Sequence, residues 1–547
     1  MWANTSFITL STVLLLLAPM AFLLSALWVR YVSSSPSTIF TIRCGVGGLL
    51  LLSLTVTGFV LSADSSQLAQ ANGLLSLQPL NIIVLSLILL MALIILSFSQ
   101  RYMQGEACYQ RYFTWMLFTL AAVSITIVSN HLILFWSGWV FISLCLHKLL
   151  TLYPERPRAL LAAHKKFILA RTAESLLFSA FVLLYLEYGT FYIGDILAQA
   201  QTSLNLPLSW QVHTAMVLIA IAALIKCAQL PVHGWLIKVV EVPTPVSALL
   251  HAGVINLGGF ILITFAPLFS AAPIAQWLVL IVAGISTLLA ALIMTTRISV
   301  KVRLAWSTSA QMGMMLVQCA LGLYELALLH LVMHSLYKAH QFLSAGNTVI
   351  EYGKQRLLVT ASGFSSASFL SKVPLAAMAF CWSLVCIVIV MTLLNDQWPL
   401  SIVLLLGLAF TGFMAQRPAT HHAYGVVSSV IAVAFLVAVY GVAKWGFAAA
   451  LALPPELSVV PFALADLWVT WLVVVLFISS VLLNQCAHHP RVQRLSSYLF
   501  GGLYLDEWFT RWLLAVWPMH MPPLVKNVTT TPFTLSTTST PLSVNDA

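Results

Sequence analysis

The sequence predicts an all-α polytopic membrane protein, a bundle of about 13–15 transmembrane helices with a broken helix near Lys226. Three observations carry that prediction. Of 547 residues, 61% are hydrophobic and only 7% are charged, against about 25% charged in an ordinary soluble domain. So little charge leaves most of the surface to face lipid. Apolar runs recur from Trp2 to Trp517 without a long polar interval, and most approach the roughly 20 residues that cross a bilayer as a helix. A few runs are interrupted by proline and by ionisable side chains, which is tolerated at membrane depth only where protein or water encloses the freed groups.

Fifteen spans are expected in order at 8–29, 41–62, 79–99, 113–129, 132–149, 167–186, 213–240, 245–266, 276–296, 306–324, 326–346, 369–393, 399–416, 423–446 and 461–484. The first lacks both a basic segment before it and a small-residue cleavage site after it, so it reads as a retained span rather than a secretion signal. Alternate connections carry the basic residues: Arg30 and Arg43, Arg101 and Arg111, Lys148 to Arg171, Lys238, Arg297 to Arg303, Lys354 and Arg356, Arg417, then Arg491 and Arg494. The intervening ones hold Asp64, Glu187, Asp195, Glu325, Asp396 and Glu456, with Lys444 the nearest base. By the positive-inside rule the basic side is cytoplasmic and the C-terminus lies there. The expected divisions are N-terminal helices at 1–112, a conducting core at 113–350, C-terminal helices at 351–486, an interfacial or partner-binding segment at 487–526, and a disordered tail at 527–547.

The net charge of +10, from 25 basic and 15 acidic residues, forms no continuous stripe and therefore does not read as a nucleic-acid surface. Eight cysteines are scattered without a CxxC pair or metal-ligand spacing and read as small packing residues. No metal site or cofactor is expected in the chain.

The ionisable exceptions within apolar runs are the functional candidates, because a charge at membrane depth must be paired, hydrated or enclosed. Lys226 precedes Pro231, which cannot donate to the helical ladder, so the helix should break beside it. Such a lysine can load and release a proton, or it can be a structural, snorkelling lysine. Pro243 and Pro245 start the next helix, which carries His251, an imidazole able to accept one proton while holding another. Glu241 is a charge partner for Lys226 only if the break folds the chain back. His330, His334 and Lys338 recur every four residues and share one helix face, as a relay, a polar seam between helices or, least of all, a metal site. Ser307 and Gln311, in the run 303–313, are candidates for ordering water or for capping and packing. After the last span, Tyr504, Asp506, Glu507, Trp508 and Arg511 mix aromatic and charged groups as an interfacial or docking helix does.

The runs Lys226-Cys-Ala-Gln-Leu-Pro-Val-His-Gly-Trp235, Pro243-Thr-Pro-Val-Ser-Ala-Leu-Leu-His-Ala252, Arg303 to Gly313 and His330 to Lys338 resemble the proton-conducting antiporter-like subunits of respiratory complex I and of multisubunit cation/proton antiporters. The likeness is specific over roughly residues 120–350. Within that group, His164-Lys-Lys-Phe, His233-Gly-Trp235, the stretch 250–259 and the late run 502–511 look most like the membrane subunit of the two-subunit inorganic-carbon accumulation system, the DabB type. That resemblance implies an antiporter-like bundle, with Lys226 as its central proton-transfer lysine, His251 following it, and His330, His334 and Lys338 as the next part of the channel. It also implies a large cytoplasmic zinc-dependent, carbonic-anhydrase-like partner of the DabA type, with the zinc in the partner and protons or sodium as the coupling ion. One departure is visible: the complex I subunits that the chain resembles carry a glutamate directly after a tryptophan in the fifth span, whereas Trp136 is followed by Ser137.

Overall fold

The structure, a computed structural model, describes residues 2–62, 73–202, 208–348, 353–354, 369–415, 423–451 and 463–518. The expected tail at 527–547, the last residues of the docking segment, and the topology charges Asp64, Arg356, Arg417 and Glu456 lie outside the described residues. The chain forms α1 (Trp2–Tyr31), α2 (Pro36–Ser62), α3 (Pro79–Tyr102), α4 (Tyr109–Val128), α5 (Leu132–Leu150) and α6 (Pro157–Tyr188). The middle holds α7 (Ile193–Thr202), α8 (Trp210–Lys226), α9 (Gly234–Lys238), α10 (Thr244–Ala252), α11 (Leu257–Thr264), α12 (Ala266–Ser270), α13 (Pro273–Thr295), α14 (Val300–Ala320) and α15 (Tyr324–Leu343). Then follow α16 (Phe369–Leu394), α17 (Leu400–Ala415), α18 (Ala423–Leu451), α19 (Ala463–Gln485), α20 (Pro490–Phe500) and α21 (Leu505–Val516).

Each of the fifteen expected spans has a helix in its place. Among the described residues, 11 stretches are long and apolar enough to cross a membrane, and Trp210–Lys226 and Leu400–Gly412 are shorter apolar helices. The two remaining, α14 and α15, have spanning length but carry the polar candidates. Proline opens α2, α3, α6 and α13, where its missing N–H would be unpaired in any case. At the end of α6, Gly189 turns left-handed at φ 67° and its N–H donates to the Tyr185 carbonyl, a closure that glycine makes without strain.

Every residue from Thr244 to Thr264 is buried, so the interrupted helix α10–α11 forms the centre of the bundle. It packs on α15 and α8, while α8 is flanked by α6 and α13. The break after Lys226 is closed by its own Gln229 and by side chains of neighbouring helices. The Gln229 amide donates to the carbonyls of Cys227 at 2.8 Å and Ser309 at 3.2 Å. Ser309 donates to the Ala228 carbonyl at 3.0 Å, and Ser286 accepts the Leu230 N–H at 3.1 Å. These bonds satisfy backbone groups that lipid could not, which is what permits a non-helical segment at this depth.

Gly313 is where α14 meets this break: a Cβ there would lie 2.3 Å from Thr287 Oγ1, 2.7 Å from Gln229 Oε1 and 2.9 Å from the Ala283 carbonyl. Gly313→Ala is expected to cost about 1–3 kcal/mol by overpacking, read as a lower unfolding temperature of the detergent-solubilised protein. An unchanged transition would contradict this close approach.

Candidate functional site

Two groups of buried ionisable side chains stand on either side of α10. In the first, Lys226 ends α8 with its ammonium 4.4 Å from the Trp139 ring of α5, a cation–π contact. Across a cavity of about 30 Å³, lined among others by Lys226, Trp139, Ser143, Lys166 and Leu250, stands α6. That volume admits about two water molecules. Lys166 donates to the Ser143 carbonyl at 2.6 Å, and the Ser143 hydroxyl donates to Glu174 at 2.5 Å. Arg171 pairs with Glu174 at 2.7 Å, and the Trp136 indole N–H holds the Glu174 carbonyl at 2.9 Å. Glu174 also acts electrostatically on Lys226. Three cations thus share one carboxylate around a small wettable space.

Glu174 and Lys166 were not singled out from the sequence. Lys165 and Lys166 look like topology charges beside Arg158 and His164, but both are buried. The available signal was Glu174 itself, an acid in the apolar second half of α6, one helical turn after Arg171. Ser137 lies on the exposed side of α5, so the carboxylate near Lys226 comes from α6 instead. Glu241 does not reach Lys226: its carboxylate faces Arg158 at 3.7 Å and its carbonyl accepts from Arg156 at 2.8 Å. The chain leaves the break towards the basic loop rather than folding back along α8. The Cys227 carbonyl, next to Lys226 in the chain, is occupied by the Gln229 amide.

The second group runs along α15. Lys338 is fully buried, donates to the Leu304 carbonyl at 3.2 Å and is hydrogen-bonded to Ser307. His330 and His334 have ring centroids 6.0 Å apart. The side-chain oxygens of Gln318 and Gln311 lie 3.1 and 3.0 Å from the two ring nitrogens of His330. In this orientation both nitrogens donate, as in an imidazolium; turning either amide over suits a neutral ring. The two glutamines can therefore accommodate a proton arriving at or leaving His330. His251 is stacked on Phe342 at 4.4 Å, and both nitrogens of His251 and of His334 are buried without a hydrogen-bond partner among the described residues. Buried polar groups of this kind call for water or proton exchange. Because α10 points Leu250 at the Lys226 cavity and His251 at the Phe342 side of α15, consecutive residues join the two groups. Pro243 and Pro245 start α10, and Thr244 there accepts from Lys301 at 2.9 Å.

Of the five residues expected to dock a partner, Tyr504, Glu507, Trp508 and Arg511 are exposed, with Tyr504 at 57% and Trp508 at 64%. Asp506 turns inward. It pairs with Lys165 and with Lys238, each at 2.7 Å, and sits so tightly on Gly234 that a Cβ there would be 1.4 Å from its carboxylate. Burial opposes the Asp506 charge, but the two lysines prevail and hold its carboxyl below the ordinary value of 3.8. The C-terminal helix is thereby clamped to α6 and α9, the elements that bear the Lys226 cavity and its break. Among the described residues no three His, Cys, Asp or Glu side chains converge to hold a metal.

Residues 129–414 match the family described as NADH:quinone oxidoreductase/Mrp antiporter, transmembrane. The chain is 44% identical over 444 residues to a "Probable inorganic carbon transporter subunit DabB" of Hydrogenovibrio crunogenus, covering 81% of this chain and 83% of that protein. It is 33% identical over 494 residues to "Probable inorganic carbon transporter subunit DabB2" of Halothiobacillus neapolitanus, covering 86% and 87%. In fold it is similar to a chain of the Mrp complex of Dietzia sp., with a TM-score of 0.53, 19% identity, and coverage of 92% of this chain and 56% of that one. The bundle with its interrupted central helix and the extent of these identities agree, and the chain belongs to the DabB family of bacterial inner-membrane subunits, within the NADH:quinone oxidoreductase/Mrp antiporter family.

Proposed function

We propose that this chain is the energy-coupling membrane subunit of an inorganic-carbon uptake complex. A proton gradient, entering through the α15 groups and passing His251 to the Lys226–Glu174 cavity, drives carbon dioxide hydration and bicarbonate accumulation by a cytoplasmic partner. The observation that carries this reading is the run of ionisable groups from half-buried His330 through buried His334, Lys338 and His251 to half-buried Lys226, in a chain so similar to probable inorganic-carbon transporter subunits. Buried charge at membrane depth is costly unless used or paired. Lys226 and His334 have no carboxylate in direct contact among the described residues.

The partner is a large zinc-dependent, carbonic-anhydrase-like subunit of the DabA type, with the zinc held there and the chemistry done there. Coupling sets the direction, because uncoupled hydration only approaches equilibrium. The exposed face bearing Tyr504, Trp508 and Arg511 is the docking surface, clamped from behind by Asp506. To test this, the native complex is purified from its membrane, its partner identified by mass and zinc content, and labelled bicarbonate accumulation followed while a protonophore collapses the gradient. Accumulation should stop with the gradient. Accumulation that persists removes proton coupling, and a complex without a zinc-binding partner removes the carbon-uptake reading in favour of a cation/proton antiporter or respiratory subunit.

A further inference from the structure

A third group of buried charges lies at the outer end of α15, outside the path just described. Lys444, two turns before the end of the apolar helix α18, is buried with only 7% of its side chain exposed. Its ammonium is 3.6 Å from Glu325 in the first turn of α15 and in direct hydrogen-bonded contact with Asp396, in the connection before α17. Asp396 is further held by the Trp398 indole N–H at 2.9 Å, and the Lys444 ammonium is 5.9 Å from the Trp398 ring. Exposure is graded through the group, from 33% for the Asp396 side chain to 13% for Glu325 and 7% for Lys444.

One carboxylate would suffice to neutralise Lys444. A second leaves the enclosed group one negative charge in excess, and a proton from outside water can cancel that charge by binding a carboxylate oxygen. The other titratable groups acting on Glu325 are the phenols of Tyr324 and Tyr440, while Asp466 is engaged in capping α17 through the Leu400 and Ser401 N–H groups. Glu325 also stands on the same helix as the imidazole relay. His330 follows it by five residues, about 7.5 Å of helix rise and about 140° around the axis, so a proton passing from one to the other moves around α15 through water. The Glu325 end of α15 packs directly on α18, while the His330 ring faces Gln311 and Gln318 of α14.

We propose that Asp396, Lys444 and Glu325 form the outer proton port of this protein: an external proton binds the excess carboxylate and is then released through water to His330, restoring the ionised group. This rests on the proton-coupled reading above. The test uses the intact complex in liposomes, with an interior pH dye reporting proton entry across the outer face. Glu325→Gln and Asp396→Asn, which keep shape and remove the acid, are expected to slow entry at least about tenfold, and Glu325→Asp to retain most of it. Complex yield and elution volume are measured alongside, so that a folding defect is seen separately. Parental flux in both Glu325→Gln and Asp396→Asn overturns the port. Lys226→Ala run in parallel separates the two claims: lost flux there with normal flux in the port variants rejects the port alone, whereas parental flux in Lys226→Ala rejects the proton path beneath it.

Discussion

Lys226→Ala is expected to lower gradient-driven carbon accumulation by about a hundredfold or more, the usual contribution of a positioned proton-transfer group, while the complex is recovered in normal amount. The reason for the second half is geometric. Lys226 ends α8 and touches the Trp139 face and the cavity, but the break behind it is held by Gln229, Ser286 and Ser309, none of which bonds to the lysine. Glu174→Gln is expected to give a comparable loss for a different reason. It preserves hydrogen-bonding capacity toward Ser143 but leaves Lys166, Arg171 and Lys226 without their shared carboxylate. Bicarbonate accumulation and complex recovery, measured together, check both. Normal accumulation at normal recovery in either variant would remove that residue from the path.

Asp506→Ala is expected to free the C-terminal helix, because it strands Lys165, which is fully buried, without its partner. Removing one member of a buried pair costs about 3–5 kcal/mol, more than a helix resting on Phe509 and Leu513 can readily spare. The measurement is hydrogen exchange or limited proteolysis across 490–517, with partner recovery beside it. Lys165→Met combined with Asp506→Leu should regain part of the order, since an apolar pair of similar volume avoids the stranded charge. Unchanged protection in Asp506→Ala would show that the clamp is dispensable.

The clamp also has a definite acid response. Because the folded-state Asp506 carboxyl is held below its ordinary 3.8, the ionised pair stabilises docking from that value up to neutrality. The contribution is lost as pH falls through the lower folded value, when the carboxyl takes up a proton. Protection of 490–517 is therefore expected to be flat from neutrality down to about pH 4 and to fall below it; loss beginning near pH 6 would point to histidine instead.

How far the site was legible depended on whether its parts were close in sequence. His330, His334 and Lys338 announce themselves because a spacing of four fixes a helix face whatever the surroundings. The proline at 231 predicts the break equally directly. Glu174 is hard to read from the sequence because, its local pair with Arg171 apart, its meaning lies in Ser143 and Lys226, partners on two other helices whose approach no local pattern encodes. Lys165 and Lys166 are the clearest case: adjacent in sequence, they look like one topology signal, yet a turn of about 100° per residue sends one to Asp506 and the other to the Ser143 carbonyl. Lys444 likewise reads as an isolated base until Glu325 and Asp396 are brought to it.

By itself, the sequence determined that this is a multi-pass helical membrane protein, which way its basic connections face, where its central helices break and which helix carries the imidazole ladder. Those properties follow from run length, charge placement and helical period, all of them local. Only the tertiary structure decided which charges are paired, that Glu241 serves the surface while Glu174 serves Lys226, and that Asp506 faces inward. Coulombic and hydrogen-bonding partners are set by distances of a few ångströms between helices, and in this bundle such neighbours stand up to several hundred residues apart in the chain, as Lys165 and Asp506 do.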